Sequence, residues 1–195
     1  MNRNIETKLI DQALRGDEIA FAEIYTRLRD SIYGFAFRML MDETMAEDIT
    51  QETFIFLIEN PHKFDSSRGS LHPFLCGVTR NLVLHHLRKK QSLREDFGEF
   101  DEFIETKDET NLSPLEILLE SELSDYVNVC VTDLPEAQRE VIILRELQEF
   151  SYEEIAKITE TDLNLVKVRL HRARKNLADK LAPYLKKKEK CNELR

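Results

Sequence analysis

Basic side chains are concentrated in one short predicted helix near the end of the sequence. The segment LVKVRLHRARKNL, residues 165–177, contains Lys167, Arg169, Arg172, Arg174 and Lys175. Guanidinium and ammonium groups bind phosphate oxygens, and arginine also pairs with the edges of bases. The segment is therefore a candidate nucleic-acid-binding helix, although charged runs on helices are more often solvated faces.

This helix has two faces of different chemistry at about 100° per residue. The face expected to pack on the preceding helices is formed by Val166, Leu170, Ala173, Leu177 and Leu181. The opposite face carries Asn164, Val168, His171, Arg172 and Lys175, with Lys167 and Arg174 on one flank. Lysine and arginine side chains around an amide, an imidazole and a valine suit the major groove of DNA. There the central side chains reach base edges, and the flanking positive charges bind phosphates.

Start signals place a shorter helix before the basic one. In SYEE, Ser151 and Glu154 have the spacing of a capping box, and Asp162 precedes the basic segment as an N-cap. The stretch LPEAQREVIILREL predicts a further helix that begins at Pro135. A short helix, a brief turn at residues 159–161 and a basic helix indicate a helix-turn-helix, which favours DNA binding over a merely solvated face.

The charge of the chain is divided between an acidic middle and a basic end. The 195 residues carry a formal net charge of −9. Twelve acidic residues and one lysine lie between Glu95 and Asp125, whereas ten lysines or arginines and two acidic residues lie between Asn164 and Lys190. We expect the overall negative charge to discourage DNA binding by the isolated chain.

Helical periodicity and composition predict an all-α fold. Only five glycines and five prolines are present, and no convincing alternating strand pattern occurs. One long amphipathic helix is predicted by Phe21, Ile24, Tyr25, Leu28, Ile32, Phe35, Ala36 and Met39, which recur at spacings of three and four. A second helix is expected to run from Asp42 or Glu43 to Ile58, and a third from His72 to Lys90.

The element boundaries predict two small helical domains joined by an acidic linker. The first domain covers residues 1–92, the linker residues 93–112, the second domain residues 113–185, and a basic tail residues 186–195. The second domain is expected to open at the capping box Ser113–Glu116, with Pro114 in the first turn.

The sequence carries neither membrane nor cofactor signals. No apolar run approaches the ~20 residues that span a bilayer, and the first residues lack the apolar core of a signal peptide. A cytoplasmic protein without membrane insertion is the expectation. Cys76, Cys130 and Cys191 are predicted to be reduced thiols, the first two within helix packing. His85 and His86 do not face one metal site because they are neighbours on a helix, so no cofactor is expected.

Two sets of motifs resemble one protein family. LPEAQREVIILRELQEFSYEEIAKI and VKVRLHRARKNL resemble region 4 of the sigma-70 family, in particular the extracytoplasmic-function (ECF, group IV) class. FAEIYTRLRDSIYGFAFRML, AEDITQETFIFL and KFDSSRGSLHPFLCGVTRNLVLHHLRKK resemble region 2 of the same class. The order, the spacing and the acidic linker also match, over about residues 10–182.

The resemblance implies a bacterial RNA polymerase sigma factor and not an enzyme. Such a protein binds core polymerase, recognises the −10 and −35 promoter elements and directs transcription initiation. Its partners would be core polymerase and promoter DNA. In this class an anti-sigma factor often clamps the two domains together.

Core-polymerase binding is assigned by the resemblance to the helix AEDITQETFIFLIE. The matching positions are Asp48, Gln51, Glu52, Phe54 and Ile58. A rim of carboxylate and amide groups around an apolar anchor suits a helical partner with basic residues. Leu57 on the same helix is predicted to belong to the core.

The resemblance assigns binding of the non-template strand of the −10 element to the segment FDSSRGSLHPFLCGVTRNLVLHHLRKK. The matching positions are Phe64, Arg68, Phe74, Arg80, Asn81, His85, Arg88 and Lys89. Asn81 corresponds to the residue that reads a base turned out of the stack, and an amide can pair with the edge of such a base. Phe74 stands where tryptophan is usual and His85 where aspartate is frequent, so one pocket wall and the next contact are expected to differ.

The resemblance assigns binding of the −35 duplex to the segment DLNLVKVRLHRARKNL. This assignment agrees with the outward face of the basic helix described above. The expected contacts are Asn164, Lys167, Val168, His171, Arg172 and Lys175. Asn164 and Leu165 replace the usual Gly-Thr, and Val168 replaces a common serine. Leu165 cannot offer a hydroxyl to a phosphate, whereas the Val168 methyl groups suit a thymine methyl. The −35 sequence is therefore expected to differ from the commonest motif of the family.

Three alternative functions remain open from the sequence. An ordinary helix-turn-helix regulator would bind duplex DNA alone, as a dimer. A nucleic-acid hydrolase would use the carboxylates of residues 96–109, although these lie in a loop without histidine spacing or a glycine-rich phosphate cradle. A degenerate sigma factor would bind core polymerase as a decoy, without melting promoters.

Overall fold

The computed structural model describes residues 7–97 and 126–193, with side chains described for residues 7–91 and 126–184. Within these residues the chain forms helices and no strands, which confirms the predicted all-α fold. The helices are α1 (Thr7–Leu14), α2 (Glu18–Leu40), α3 (Glu43–Glu59), α4 (Leu71–Phe97), α5 (residues 126–132), α6 (Glu136–Ile142), α7 (Tyr152–Thr159) and α8 (Leu163–Glu193). A 3-10 turn at Pro61–Lys63 follows α3, and a π-turn at Ile143–Leu147 continues α6.

Aspartate N-caps start α2 and α3 of the N-terminal domain. The Asp17 carboxylate accepts hydrogen bonds from the Ile19 and Ala20 amides at 3.0 Å, and Asp42 accepts one from the Met45 amide at 2.9 Å. Each bond satisfies a donor that the first helical turn leaves unpaired. The apolar stripe predicted for α2 lies in the core, where the fully buried members are Ile24, Leu28, Ile32, Phe35, Ala36 and Met39.

Small polar side chains allow α3 and α4 to pack closely. Thr53 and Thr79 are fully buried, and their hydroxyl oxygens lie 3.1 Å apart. Each hydroxyl also lies 2.8 Å from the carbonyl oxygen four residues earlier in its own helix, so both buried hydroxyls have partners. This contact fixes the helix predicted to bind the promoter strand against the helix predicted to bind polymerase.

The fourth helix is longer than predicted. It begins at Leu71, with Pro73 in the first turn, and continues to Phe97 instead of ending near Lys90. Residues 93–97, predicted to begin the linker, are therefore helical. Their sequence LREDF contains no helix breaker, and the first glycine follows at position 98. The rest of the predicted linker and the capping box Ser113–Glu116 lie outside the described residues.

The eighth helix is also longer than predicted. Val166, Leu170 and Ala173 of its predicted apolar face are buried. The helix then continues to Glu193, through most of the segment 186–195 that was expected as a separate basic tail. The tail sequence KKKEK consists of good helix formers, which explains the continuation.

The two domains pack against each other, a contact that the sequence did not predict. Buried apolar side chains of both domains form one continuous cluster. Gln148, just after the π-turn, donates through Nε2 to the Ser31 carbonyl of α2 at 3.0 Å. The His72 ring at the start of α4 lies 4.7 Å from the Phe150 ring, measured between centroids. α7 lies beside the first turns of α4.

Glu149 offers a test of backbone strain in the C-terminal domain. This exposed residue has a φ of 60° between the π-turn and Phe150. A side chain in this left-handed region costs roughly 1–2 kcal/mol, whereas glycine adopts the conformation freely. After the larger entropy of an unfolded glycine is deducted, Glu149→Gly is expected to raise the free energy of unfolding by about 0.5–1 kcal/mol.

Urea unfolding followed by circular dichroism measures this change. Glu153→Gly is the matched control, because Glu153 is exposed within α7 and has helical geometry. The control should lower the free energy of unfolding by about 1 kcal/mol. A loss of stability in Glu149→Gly as large as in the control would contradict the prediction.

Candidate nucleic-acid interface

Two N-caps hold α7 and α8 in a helix-turn-helix. The capping box between Ser151 and Glu154 is formed in both directions. The Asp162 carboxylate accepts hydrogen bonds from the Asn164 and Leu165 amides at 2.8 and 3.0 Å. Both predicted caps are thus confirmed, and they define where α7 and α8 begin.

The outer face of α8 presents the predicted −35 side chains to solvent. All six are exposed, namely Asn164, Lys167, Val168, His171, Arg172 and Lys175, and together they are termed the α8 surface. Val168 is 45% exposed although a large apolar side chain is more often buried. Because the opposite face is fixed in the core, these six side chains project together.

Arg174 braces α8 against its neighbours. Its guanidinium donates to the Glu146 carboxylate at 2.7 and 3.0 Å and to the Tyr152 hydroxyl at 3.5 Å. These hydrogen bonds, the stronger of them to Glu146, raise the pKa of Arg174 above its usual value. Arg145 in turn lies over the Tyr152 ring. The Arg174 side chain therefore makes contacts within the domain and is not directed toward DNA. Its position on the flank of the helix did not indicate this role.

A cavity of about 430 Å³ opens beside the first turns of α4. Its wall includes four predicted −10 residues, Phe64, Arg68, Phe74 and Asn81, and we term it the α4 cavity. The Phe64 and Phe74 rings meet edge to face with centroids 5.4 Å apart. Apolar walls and a nearby amide are the groups that hold and read an unstacked base. The far side of the cavity is formed by α7, through Glu154, Lys157, Ile158 and Glu160.

The other four predicted −10 residues lie elsewhere on α4. His85, Arg88 and Lys89 are exposed further along the helix. Arg80 is directed toward the other domain, where its Nε donates to the Glu140 carboxylate of α6. The two side chains are only 15% and 4% exposed. They are 60 positions apart in the sequence, so no local pattern signalled the pair.

The electrostatics of Glu140 are set by its burial. Burial raises the pKa of this carboxyl, and the positive charges of Arg80 and Arg169 oppose part of the rise. Arg80 lies on α4 and Arg169 on α8, so charges from both domains meet at one carboxylate. The junction between the domains therefore contains an ion pair and is not purely apolar.

The third helix places most of the predicted polymerase-binding residues on one exposed face. Asp48, Gln51 and Glu52 are exposed, and Ile58 is 59% exposed. Phe54 is a correction, because it is 3% exposed and lies in the core. Its ring packs against Phe21 and Tyr25, with centroids 6.3 and 4.8 Å apart. The exposed apolar surface on this face comes from Ile58 and from Ile55, whereas Leu57 is buried as predicted.

The described part of the chain was also searched for a metal site and a membrane span. No group of three His, Cys, Asp or Glu side chains among these residues is arranged to hold a metal ion. No helix within the same ranges is long and apolar enough to cross a bilayer. Cys76 and Cys130 are buried, as their predicted place in helix packing requires.

Both domains match known protein families. The family model described as Sigma-70 region 2 matches residues 24–93, and the model described as Sigma-70, region 4 matches residues 124–177. The ECF RNA polymerase sigma factor SigW of Bacillus subtilis (strain 168) is 34% identical over 182 residues, which cover 89% of this chain and 95% of SigW. The ECF sigma factor SigX of the same organism is 30% identical over 161 residues, which cover 82% of each chain.

A solved structure is similar to the whole arrangement. It is the sigma factor RpoE in complex with the anti-sigma factor NepR from Bartonella quintana, with 26% identity and a TM-score of 0.71. The similarity covers 83% of this chain and 96% of RpoE. The region 2 match contains α3 and the loop of residues 64–70 beside the α4 cavity. The region 4 match contains α7 and the α8 surface. The chain therefore belongs to the ECF class of the sigma-70 family, whose members direct RNA polymerase to promoters and start transcription.

Proposed function

We propose that this sigma factor divides its contacts among three surfaces. The α8 surface binds the −35 duplex, the α4 cavity binds the melted −10 strand, and the exposed face of α3 binds core polymerase. The observation that carries the proposal is the difference between the two DNA surfaces. Cations and a valine project from α8, whereas aromatic walls and an amide line the α4 cavity. Duplex DNA offers groove edges and phosphates, whereas a melted strand offers unstacked bases, so each surface suits one form.

The part of the α8 surface between Asn164 and Arg172 has a length that fits a short duplex element. From Asn164 to Arg172 the helix rises about 12 Å at ~1.5 Å per residue. That distance corresponds to three or four base pairs at ~3.4 Å each. Val168, near the middle of this span, offers methyl groups to a thymine and no hydrogen bond. We therefore expect an apolar contact at one base pair of the −35 element.

A continuous face of α4 connects the cavity to the exposed cations. Asn81, His85 and Arg88 recur at spacings of four and three, so they lie above one another on the helix. A strand whose base enters the cavity beside Asn81 would extend its phosphates toward Arg88 and Lys89. This path accounts for the exposed −10 residues that do not line the cavity.

The relatives support further parts of the proposal. The similar RpoE was solved with an anti-sigma factor bound, and we propose a partner of that class for this chain. A protein that acts on polymerase and promoter DNA works in the cytoplasm, which we propose as its location. Its contribution is binding and strand separation, without enzymatic catalysis of its own.

Run-off transcription tests the proposed function directly. The purified chain and bacterial core polymerase are given a library of genomic fragments. We expect discrete transcripts whose start sites share −10 and −35 elements. Core binding without transcripts would contradict promoter recognition and indicate a decoy. Failure to bind core, together with dimeric binding to duplex half-sites, would instead support an autonomous regulator.

Lys175→Ala is expected to weaken promoter binding without changing sequence preference. Lys175 is exposed on the α8 surface, where an ammonium group neutralises one phosphate. The slope of log affinity against log salt concentration should therefore fall in magnitude by about one. Anisotropy of labelled promoter DNA with holoenzyme, at several salt concentrations, measures the slope.

The matched control is Lys180→Ala on the same helix. Lys180 pairs with Asp133 at 3.0 Å, so its charge is directed within the domain. Its replacement should leave the salt slope unchanged. Equal slopes for the wild type and Lys175→Ala would show that Lys175 does not contact a phosphate.

A further inference from the structure

The exposed face of α3 continues into a second cavity, which we term the α1–α3 cavity. It has a volume of about 240 Å³ and lies between the end of α1, the start of α2 and the end of α3. Ile58 belongs to both features, because it is 59% exposed on α3 and also lines the cavity. The other apolar residues of the wall are Ala13, Leu14, Phe21, Leu57 and Pro61. An apolar depression therefore begins where the exposed face of α3 ends.

A hydrogen-bonded turn between α1 and α2 forms one edge of the α1–α3 cavity. The Gly16 amide donates to the Ala13 carbonyl at 3.0 Å, and the Asp17 amide donates to the Gln12 carbonyl at 3.1 Å. This pair of bonds is the Schellman end of a helix, which requires a positive φ at the residue after the cap. Gly16 has a φ of 93°, and a Cβ atom placed on it would meet no described atom of the surrounding chain within 4 Å. The backbone is thus fixed beside open space, so a side chain can enter without rearranging the turn.

Carboxylates surround the apolar depression. Glu18 lines the cavity, is exposed and has no ion pair with any side chain that the structure describes. The same holds for Asp48, Glu52 and Glu59 on the exposed side of α3. Protein interfaces place apolar anchors in the centre and pair opposite charges around them. The surface therefore suits a protein partner that presents an apolar side chain beside lysine or arginine.

The size and chemistry of the cavity favour one large side chain over a small-molecule ligand. Sites for drug-sized molecules usually have volumes of ~300–1,000 Å³, which is larger than this cavity. The charged groups of the wall are Asp17 and Glu18, and the Asp17 carboxylate already accepts from the Ile19 and Ala20 amides. A metabolite would thus find few polar partners here, whereas an aromatic or aliphatic anchor needs mainly an apolar pocket.

We propose that the α1–α3 cavity receives one apolar side chain of core polymerase, and that Glu18 pairs with a basic residue of polymerase next to it. The inference rests on the proposed role of α3 in binding polymerase and extends that contact to α1 and the start of α2. Ala13, Leu14 and Phe21 of the wall precede the region 2 match, which begins at residue 24. They therefore add a contact that the motif on α3 does not contain.

Filling the cavity tests the proposal with the full-length chain and labelled core polymerase. Ala13 lines the cavity, so Ala13→Leu places a larger apolar side chain where the polymerase side chain would enter. We expect core affinity to fall about tenfold, because displacement of an anchor from its pocket commonly costs that much. Urea unfolding should show no loss of stability, since the added atoms occupy space that was not packed. The control is Ala22→Leu, at an exposed position of α2 outside the cavity wall, which should bind core like the wild type.

A second variant removes the charge at the cavity and leaves its packing unchanged. Glu18→Gln keeps the shape of the side chain, and Asp11→Asn, at an exposed position of α1, is the control with the same change of charge. At low ionic strength Glu18→Gln should bind core about threefold more weakly than the control. The difference should disappear at high salt, because exposed charge pairs are screened. If Ala13→Leu is not folded, Glu18→Gln decides the question.

The outcomes separate this inference from the proposed function. Wild-type core affinity in folded Ala13→Leu would overturn the cavity contact, and a loss of affinity in Ile58→Asp would then still support the α3 face. Self-association of the wild type that Ala13→Leu abolishes, without a change of core affinity, would also overturn it, because a second copy would then occupy the cavity. Failure of the wild type to bind core polymerase would overturn both the inference and the proposed function.

Discussion

Asn81→Ala is expected to reduce promoter-dependent run-off transcription about tenfold or more while leaving the affinity for core polymerase unchanged. An amide that pairs with a base edge contributes ~1–3 kcal/mol of discrimination. A change of ~1.4 kcal/mol is a factor of ten in an equilibrium constant. Asn81 lines the α4 cavity but is exposed, so its truncation removes recognition without opening the core.

The measurement compares transcript yield and core affinity for the same protein preparation. Asn81→Asp is the second variant, because it keeps the shape of the side chain but replaces the amide donors with a negative charge. We expect it to be as inactive as Asn81→Ala, since a carboxylate repels the strand and cannot donate to a base. Wild-type transcript levels from Asn81→Ala would show that the −10 base is read by another residue.

Ile58→Asp is expected to weaken core-polymerase binding about thirtyfold or more. Ile58 is 59% exposed on the face of α3 that also carries Asp48 and Gln51. An apolar anchor in the centre of an interface commonly contributes ~2 kcal/mol or more when truncated. The added charge would also have to be buried beside the existing carboxylates, which increases the loss.

Ile58→Val is the matched control, because it keeps an apolar side chain at the same exposed position. Its core affinity should stay within about fourfold of the wild type, since one methylene corresponds to ~0.8 kcal/mol. Titration of labelled core polymerase measures both variants, and circular dichroism checks their helix content. Equal affinities of Ile58→Asp and Ile58→Val for core polymerase would show that Ile58 does not contact polymerase.

Local signals in the sequence were sufficient for most of the fold. The Ser151–Glu154 capping box and the Asp162 cap depend on residues three or fewer positions apart, and both occur as predicted. The α2 stripe depends only on repeated spacing, and its inner members are buried. The ends of α4 and α8 were harder to place, because charged residues continue a helix as readily as they form a solvated linker.

Contacts between distant residues could not be predicted in the same way. The Arg80–Glu140 pair and the Ser31–Gln148 hydrogen bonds depend on how two domains meet, which no periodicity encodes. Phe54 shows a different limit, because its place in the family motif favoured a surface role while its neighbours in the fold place it in the core. The exposed residues of α8, by contrast, followed from the helical wheel alone.

The π-turn at Ile143–Leu147 makes domain association sensitive to the length of the chain. Its closing bond joins the Gln148 amide to the Ile143 carbonyl, five residues earlier, at 3.1 Å. The turn thus holds one residue more than an α-helical turn. If this turn became an uninterrupted α-helix with all its residues retained, the following residues would rotate by about 100°. Gln148 and Phe150 would then no longer meet Ser31 and His72, so the association of the domains depends on one extra backbone residue as well as on the side chains of the interface.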